Sequence, residues 1–71
     1  MKYTVIYEKG DSGWGAYVPD LPGVIATGDS REEVESLIRE AVEYHIEGLK
    51  AEGLAVPPPS SWAGTVDVAA A

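Results

Sequence analysis

The hydrophobic pattern changes period along the chain. Over residues 2–8, KYTVIYE, β-branched and aromatic residues dominate, with Tyr3, Val5 and Tyr7 on one face and Thr4 and Ile6 on the other. That pattern predicts a strand. KGDSG follows with two glycines and reads as a turn, and WGAYV, residues 14–18, predicts a second strand. The connection is short, so the two strands form an antiparallel hairpin. Trp14, Ala16 and Val18 share one face of the second strand, and Tyr17 takes the other. VIATG, residues 24–28, predicts a third short strand.

The third strand is reached through PDLPG, residues 19–23. Pro19 has no amide hydrogen and ends the ladder of the second strand. Pro22 fixes its own φ and biases Leu21 toward an extended shape. Gly23 permits a positive φ. Pro19, Leu21, Pro22 and Gly23 are therefore read as a structural corner, with Leu21 dropping into the core as a plug.

From residue 30 the period becomes helical. Ser30 is a good N-cap, and Glu33 three residues later completes a capping-box pattern. Asp29, Glu32 and Glu33 suit the positive end of the helix dipole. Val34, Leu37, Ile38, Ala41, Val42, His45, Ile46 and Leu49 form one apolar stripe at three-to-four spacing. Lys50 lies near the C-terminal end and Gly53 is the expected terminator, so the spacing predicts a helix over 30–52. PPPS, residues 57–60, reads as a stiff extended connector. TVDV, residues 65–68, alternates and predicts a fourth strand, after which the terminal alanines fray.

The expected architecture is a single α+β domain over 1–71, β-β-β-α-β, with one helix packed on one face of a hairpin-based antiparallel sheet. A single helix covers a single face. The other face then holds apolar or aromatic groups and is a candidate interface. Trp14 and Tyr17 are the aromatic candidates, and Asp20, in the corner, is the charged one.

Composition narrows the function. A chain of 71 residues buries only about 60% of the surface its unfolded form exposes. It has no cysteine, so no disulfide or thiolate metal site supports the core. Small scaffolds of this kind gain stability by associating, so a homodimer or higher homo-oligomer is expected. The net charge of −7 disfavours phosphate backbones and favours a basic protein partner. No apolar run is long enough to span a membrane, and the N-terminus lacks a signal-peptide pattern, so a cytoplasmic location is expected. The sequence lacks Asn and Gln and has one Met, a composition that also suits a heat-adapted source.

Candidate chemistry is sparse. His45 is the sole histidine and lies on the helix stripe, where it reads as a boundary residue. No serine sits in a Gly-x-Ser-x-Gly elbow, and no phosphate-loop pattern occurs. Asp11, Asp20 and Asp29 all follow strand ends, and three converging acids could hold Mg²⁺ for phosphodiester cleavage. Loop aspartates also serve as turn and cap residues, and that reading is preferred. No catalytic residue, metal or cofactor is assigned.

Three stretches together carry a resemblance: WGAYVPDLPGVIATGDSREEV, the helix VESLIREAVEYHIEGLKAEG and the VPPPS that follows. With the aromatic-rich first strand they resemble the HicB family of antitoxins, in its N-terminal domain, over about residues 1–62. The resemblance implies a truncated ribonuclease H-like fold. Catalytic relatives of that fold carry a metal-binding aspartate in the first strand, and YTVIY has no carboxylate before Glu8. That departure implies a scaffold without nuclease activity. The resemblance further implies a small, basic, HicA-like toxin that cleaves mRNA as the partner. Many antitoxins of the family continue into a DNA-binding segment. None is expected within these 71 residues, so operator binding is not expected. The alternative is an orphan oligomeric structural or ligand-binding module with no toxin.

Overall fold

The computed structural model describes residues 1–70. Three strands, β1 (Ile6–Lys9), β2 (Trp14–Tyr17) and β3 (Ile25–Gly28), precede one helix, α1 (Arg31–Ala51). Both strand pairs are antiparallel, and the sheet order is β1-β2-β3. The α+β reading holds; β1 starts four residues later than expected and ends one later, and β2 and β3 are each one residue shorter than expected.

The corner consists of two consecutive β-turns. The Leu21 amide donates to the Val18 carbonyl, and the Val24 amide donates to the Leu21 carbonyl, each at 3.1 Å. A proline occupies the second position of both turns, where its fixed φ is already correct. Gly23 has φ 87°, as a type II turn needs at its third position. The Val18 amide closes the base of the corner on the Val24 carbonyl at 3.2 Å. Leu21 is fully buried, so the corner delivers its plug to the core.

The helix ends as its sequence signals require, and at its start the Ser30 half of the capping box is formed. The Ser30 hydroxyl accepts from the Glu33 amide at 3.1 Å. At the other end the Gly53 amide donates to Lys50 and the Leu54 amide to Leu49, with Gly53 at φ 70°. That pair of bonds is a Schellman termination, which satisfies carbonyls the last turn would leave free.

Ala16, Val18, Leu21, Val24, Val34 and Ile38 form the buried core. Ala41, Val42 and Ile46 extend it along the helix, and Tyr3, Val5, Tyr7 and Trp14 pack against it from the sheet side. Leu37, placed on the buried stripe by its spacing, is 38% exposed. The helix packs on β2 and β3, and Leu37 lies on the flank of the stripe opposite the one that faces β1, at the margin of the buried face. His45 is half-buried at the margin.

The expected fourth strand is not formed. Residues 65–68 pair with nothing, and Val66 and Val68 are 84% and 80% exposed. The prolines of the connector cannot donate to a ladder, and a four-residue segment without a partner has nothing to hold it extended. The return path from the helix is instead a strap. The Tyr3 hydroxyl donates to the Pro57 carbonyl, and the Thr4 hydroxyl donates to the Ser61 carbonyl.

Candidate interface on the open sheet face

Antiparallel register decides which residues meet on each face of the sheet. Ile6 lies opposite Tyr17, and Tyr17 lies opposite Ile25. The three therefore form one row across all three strands, on the face away from the helix. Directly opposed residues of this kind stand about 4.5–5.5 Å apart, close enough to make one continuous surface. The next row on the same face is Glu8, Gly15 and Thr27. Ile25 is 67% exposed and Tyr17 41%, while Ile6 is half-buried, so the row is open at β2 and β3 and partly covered at β1.

The opposite face has the complementary composition. Tyr7, Ala16 and Ala26 form the row beneath the helix, and Lys9, Trp14 and Gly28 the next. Small residues in β2 and β3 let the helix approach closely. A Cβ built on Gly28 would lie 3.1 Å from the Val34 side chain and closer still to Glu33. The Arg31 guanidinium sits 5.3 Å from the centre of the Tyr7 ring and also pairs with Glu35 at 3.2 Å. These contacts fix the first turns of the helix against the sheet.

The three residues singled out for partner contact do not come together. Tyr17 stands on the open face. Trp14 is on the helix side, half-buried against the core. Asp20 is occupied within the chain. Its carboxylate accepts four hydrogen bonds, from the amides of Ser60 at 2.8 Å and Ser61 at 3.0 Å, and from their hydroxyls at 3.0 Å and 2.8 Å. The Ser60 amide first, then the Ser61 hydroxyl, hold the carboxyl below its ordinary value, against a smaller opposing effect of desolvation. Asp20 thus clamps the strap to the corner, and so ties Pro19 and Pro22 to a contact forty residues away in sequence.

Ile6 and Ile25 belong to the open row, and the face assignment from sequence did not single them out. The signal for Ile25 was present. In VIATG the small or buried residues Val24, Ala26 and Gly28 alternate with Ile25 and Thr27, which puts the bulky isoleucine on the face opposite the core.

Asp11, Asp20 and Asp29 are not gathered. Among the described residues, no three acidic or histidine side chains come together as a metal site would require. No helix among them is long and apolar enough to cross a membrane.

Comparison with known proteins gives this arrangement a family. The model described as HicB-like antitoxin of bacterial toxin-antitoxin system matches residues 3–69. A UPF0150 protein of Synechocystis is 46% identical over 56 residues, covering 78% of this chain and 71% of its own length. Antitoxin HicB 2 of Photorhabdus laumondii is 30% identical over 61 residues, which cover 86% of this chain. The chain spans only 44% of that antitoxin's length, and 37% of another curated relative's. Among solved structures, a chain of the HicA3 and HicB3 toxin-antitoxin complex superposes with a TM-score of 0.69 at 32% identity, covering 83% of this chain and 70% of that one. The match reaches from the first strand through the corner and the helix into the strap and tail, and on that basis the chain belongs to the HicB-like antitoxin family.

Proposed function

We propose that this chain is a non-catalytic antitoxin that binds and neutralises a small, basic, mRNA-cleaving toxin of the HicA type, and that the open sheet face is where the toxin sits. The observation that carries the reading is the row Ile6–Tyr17–Ile25, open at β2 and β3, in a chain of net charge −7. An aromatic and two aliphatic side chains supply an apolar centre, and Glu8 adds a carboxylate on the same face. Apolar anchors at the middle of a contact carry most of its affinity, while the charge steers a basic partner toward it. Reading the sheet and helix as a truncated ribonuclease H-like scaffold, and placing the protein in the cytoplasm with its mRNA-directed partner, both rest on the family resemblance.

The test is neutralisation. The chain, co-expressed with a HicA-like toxin encoded in its own genome, should restore growth, and the purified chain should block RNA cleavage by that toxin. The pair Tyr17→Glu and Ile25→Glu should abolish both effects and leave the circular dichroism spectrum unchanged. Full protection by that variant would remove the open face from the proposal. Absence of any protection would favour an orphan oligomeric module.

A further inference from the structure

The chain exposes 5571 Å². A compact monomer of 7.5 kDa exposes about 4,200 Å². Its radius of gyration is 14.4 Å, where a compact 71-residue domain has about 11 Å. The excess of roughly 1,300 Å² is more than one partner contributes to a standard stable interface, about 800 Å². Two unused features account for much of it.

The first is the tail. Trp62 is 85% exposed, and Val66 and Val68 nearly as much. Among the described residues, 62–70 take no part in the backbone hydrogen bonding that links the other segments. The strap anchors the chain as far as Ser61, so the tail leaves the body from a fixed point. The second feature is β1. It is an edge strand, and its outer edge is unpaired. Beside it the displaced helix leaves a groove of about 510 Å³, whose apolar lining includes Tyr3, Val5, Tyr7, Ile38 and Val42 and whose rim carries charged residues from both sides.

The two features are complementary. In an extended TVDV, Val66 and Val68 fall on one face and Thr65 and Asp67 on the other. A strand added to the outer edge of β1 would lay both valines toward the groove and return hydrogen bonds to the free edge of β1. We infer that residues 65–68 of one chain add as a strand to β1 of a second copy, with the valines seated between β1 and the helix. Each chain carries one donor and one acceptor, so the exchange is reciprocal and closes as a two-fold dimer. It leaves the row Ile6–Tyr17–Ile25 free, and so does not depend on the antitoxin reading.

Salt separates this contact from toxin binding. Two copies that each carry −7 repel, so self-association tightens as salt screens the charge. Binding of a basic toxin loosens under the same change. The first experiment is sedimentation of the chain without toxin, up to roughly 200 µM, where a micromolar dimer is well populated. A dimer that becomes monomeric on Val66→Glu with Val68→Glu is expected. Both side chains are solvent-exposed in the monomer, so the variant keeps its fold. A monomer throughout, or a dimer indifferent to the two glutamates, overturns the proposal.

A spin label distinguishes exchange between chains from folding back. Gly64→Cys, with open space around its Cβ, carries the label on chains without ¹⁵N, mixed with unlabelled ¹⁵N chains. Broadening of the Ile6–Lys9 amides in the ¹⁵N chains supports exchange. Broadening only when label and ¹⁵N share a chain means the tail folds back on its own β1, and also overturns the proposal.

Discussion

The two faces of this sheet are built from alternate residues of the same three strands, yet in the central row of β2 and β3 they invert the usual distribution of size. In β2 and β3, the row directly under the helix is Ala16 and Ala26, with Gly28 beside Trp14 in the next, while the uncovered side carries Tyr17 and Ile25, then Gly15 and Thr27. A helix can settle on two strands only if small residues lie beneath it, because its own Val34 and Ile38 already fill the layer. In the central row of β2 and β3 the large residues, Tyr17 and Ile25, therefore stand on the side with no layer of its own. A monomer gains little from an isoleucine that is 67% exposed, and in the proposed function its size serves the toxin contact. The difference teaches that burial in the isolated chain marks what holds the fold. Bulk left in solvent marks what the fold presents.

The contrast can be broken most strongly at the core plug. Leu21→Ala should cost about 2–5 kcal/mol, a large part of the roughly 4–10 kcal/mol that a chain of this length has in total. Urea unfolding reads this, and an unmoved midpoint would mean that the corner does not seal the covered face. Overpacking beneath the helix comes next. Ala16→Leu should cost about 1–3 kcal/mol. One residue away on the open face, Gly15→Ala meets only ordinary contacts and should be neutral or stabilising by up to about 1 kcal/mol. Equal losses at both positions would show that the faces are not as different as their register implies.

Gly23→Ala tests the corner without touching packing. A Cβ there meets nothing within 4 Å, so the whole cost is the positive φ, about 1–2 kcal/mol. Thermal unfolding should detect it, and Pro22→Ala should be milder.

Acid should loosen the strap before it harms the core. The folded pKa of Asp20 lies below its ordinary value of 3.8. The clamp is therefore at full strength above the unfolded value and weakens as pH falls through the folded one. The Ser60 and Ser61 amide resonances should shift in that acidic window and stay still above it. In Asp20→Asn they should begin displaced and not titrate. An identical titration in the variant would assign the effect to another carboxylate.

The smallest effect on stability should be on the open face. Ile25→Ala should change unfolding free energy by no more than about 0.5 kcal/mol. The same substitution should weaken toxin binding by roughly tenfold or more if Ile25 is an anchor of the contact. A stability loss as large as that at Leu21 would show that the face is covered within the monomer.

Local grammar was the readable part of this chain. The hairpin, the two prolines and glycine of the corner, the Ser30 cap and the Gly53 terminator each depend on φ preferences and on donors or acceptors within a few residues. Such signals survive in a linear sequence because their partners are adjacent in it. The family resemblance drew on the same stretch. Only the tertiary structure decided the rest. Cross-strand register brought Ile6, Tyr17 and Ile25 into one row, although they come from three separate segments. The same assembly laid the helix over the Trp14 face rather than the Tyr17 face and gave Asp20 to Ser60 and Ser61 rather than to a partner. It also left TVDV unpaired, because a strand requires an edge to lie against as well as a suitable alternation. Each of these outcomes depends on groups distant along the chain, and no local preference encodes which distant group arrives.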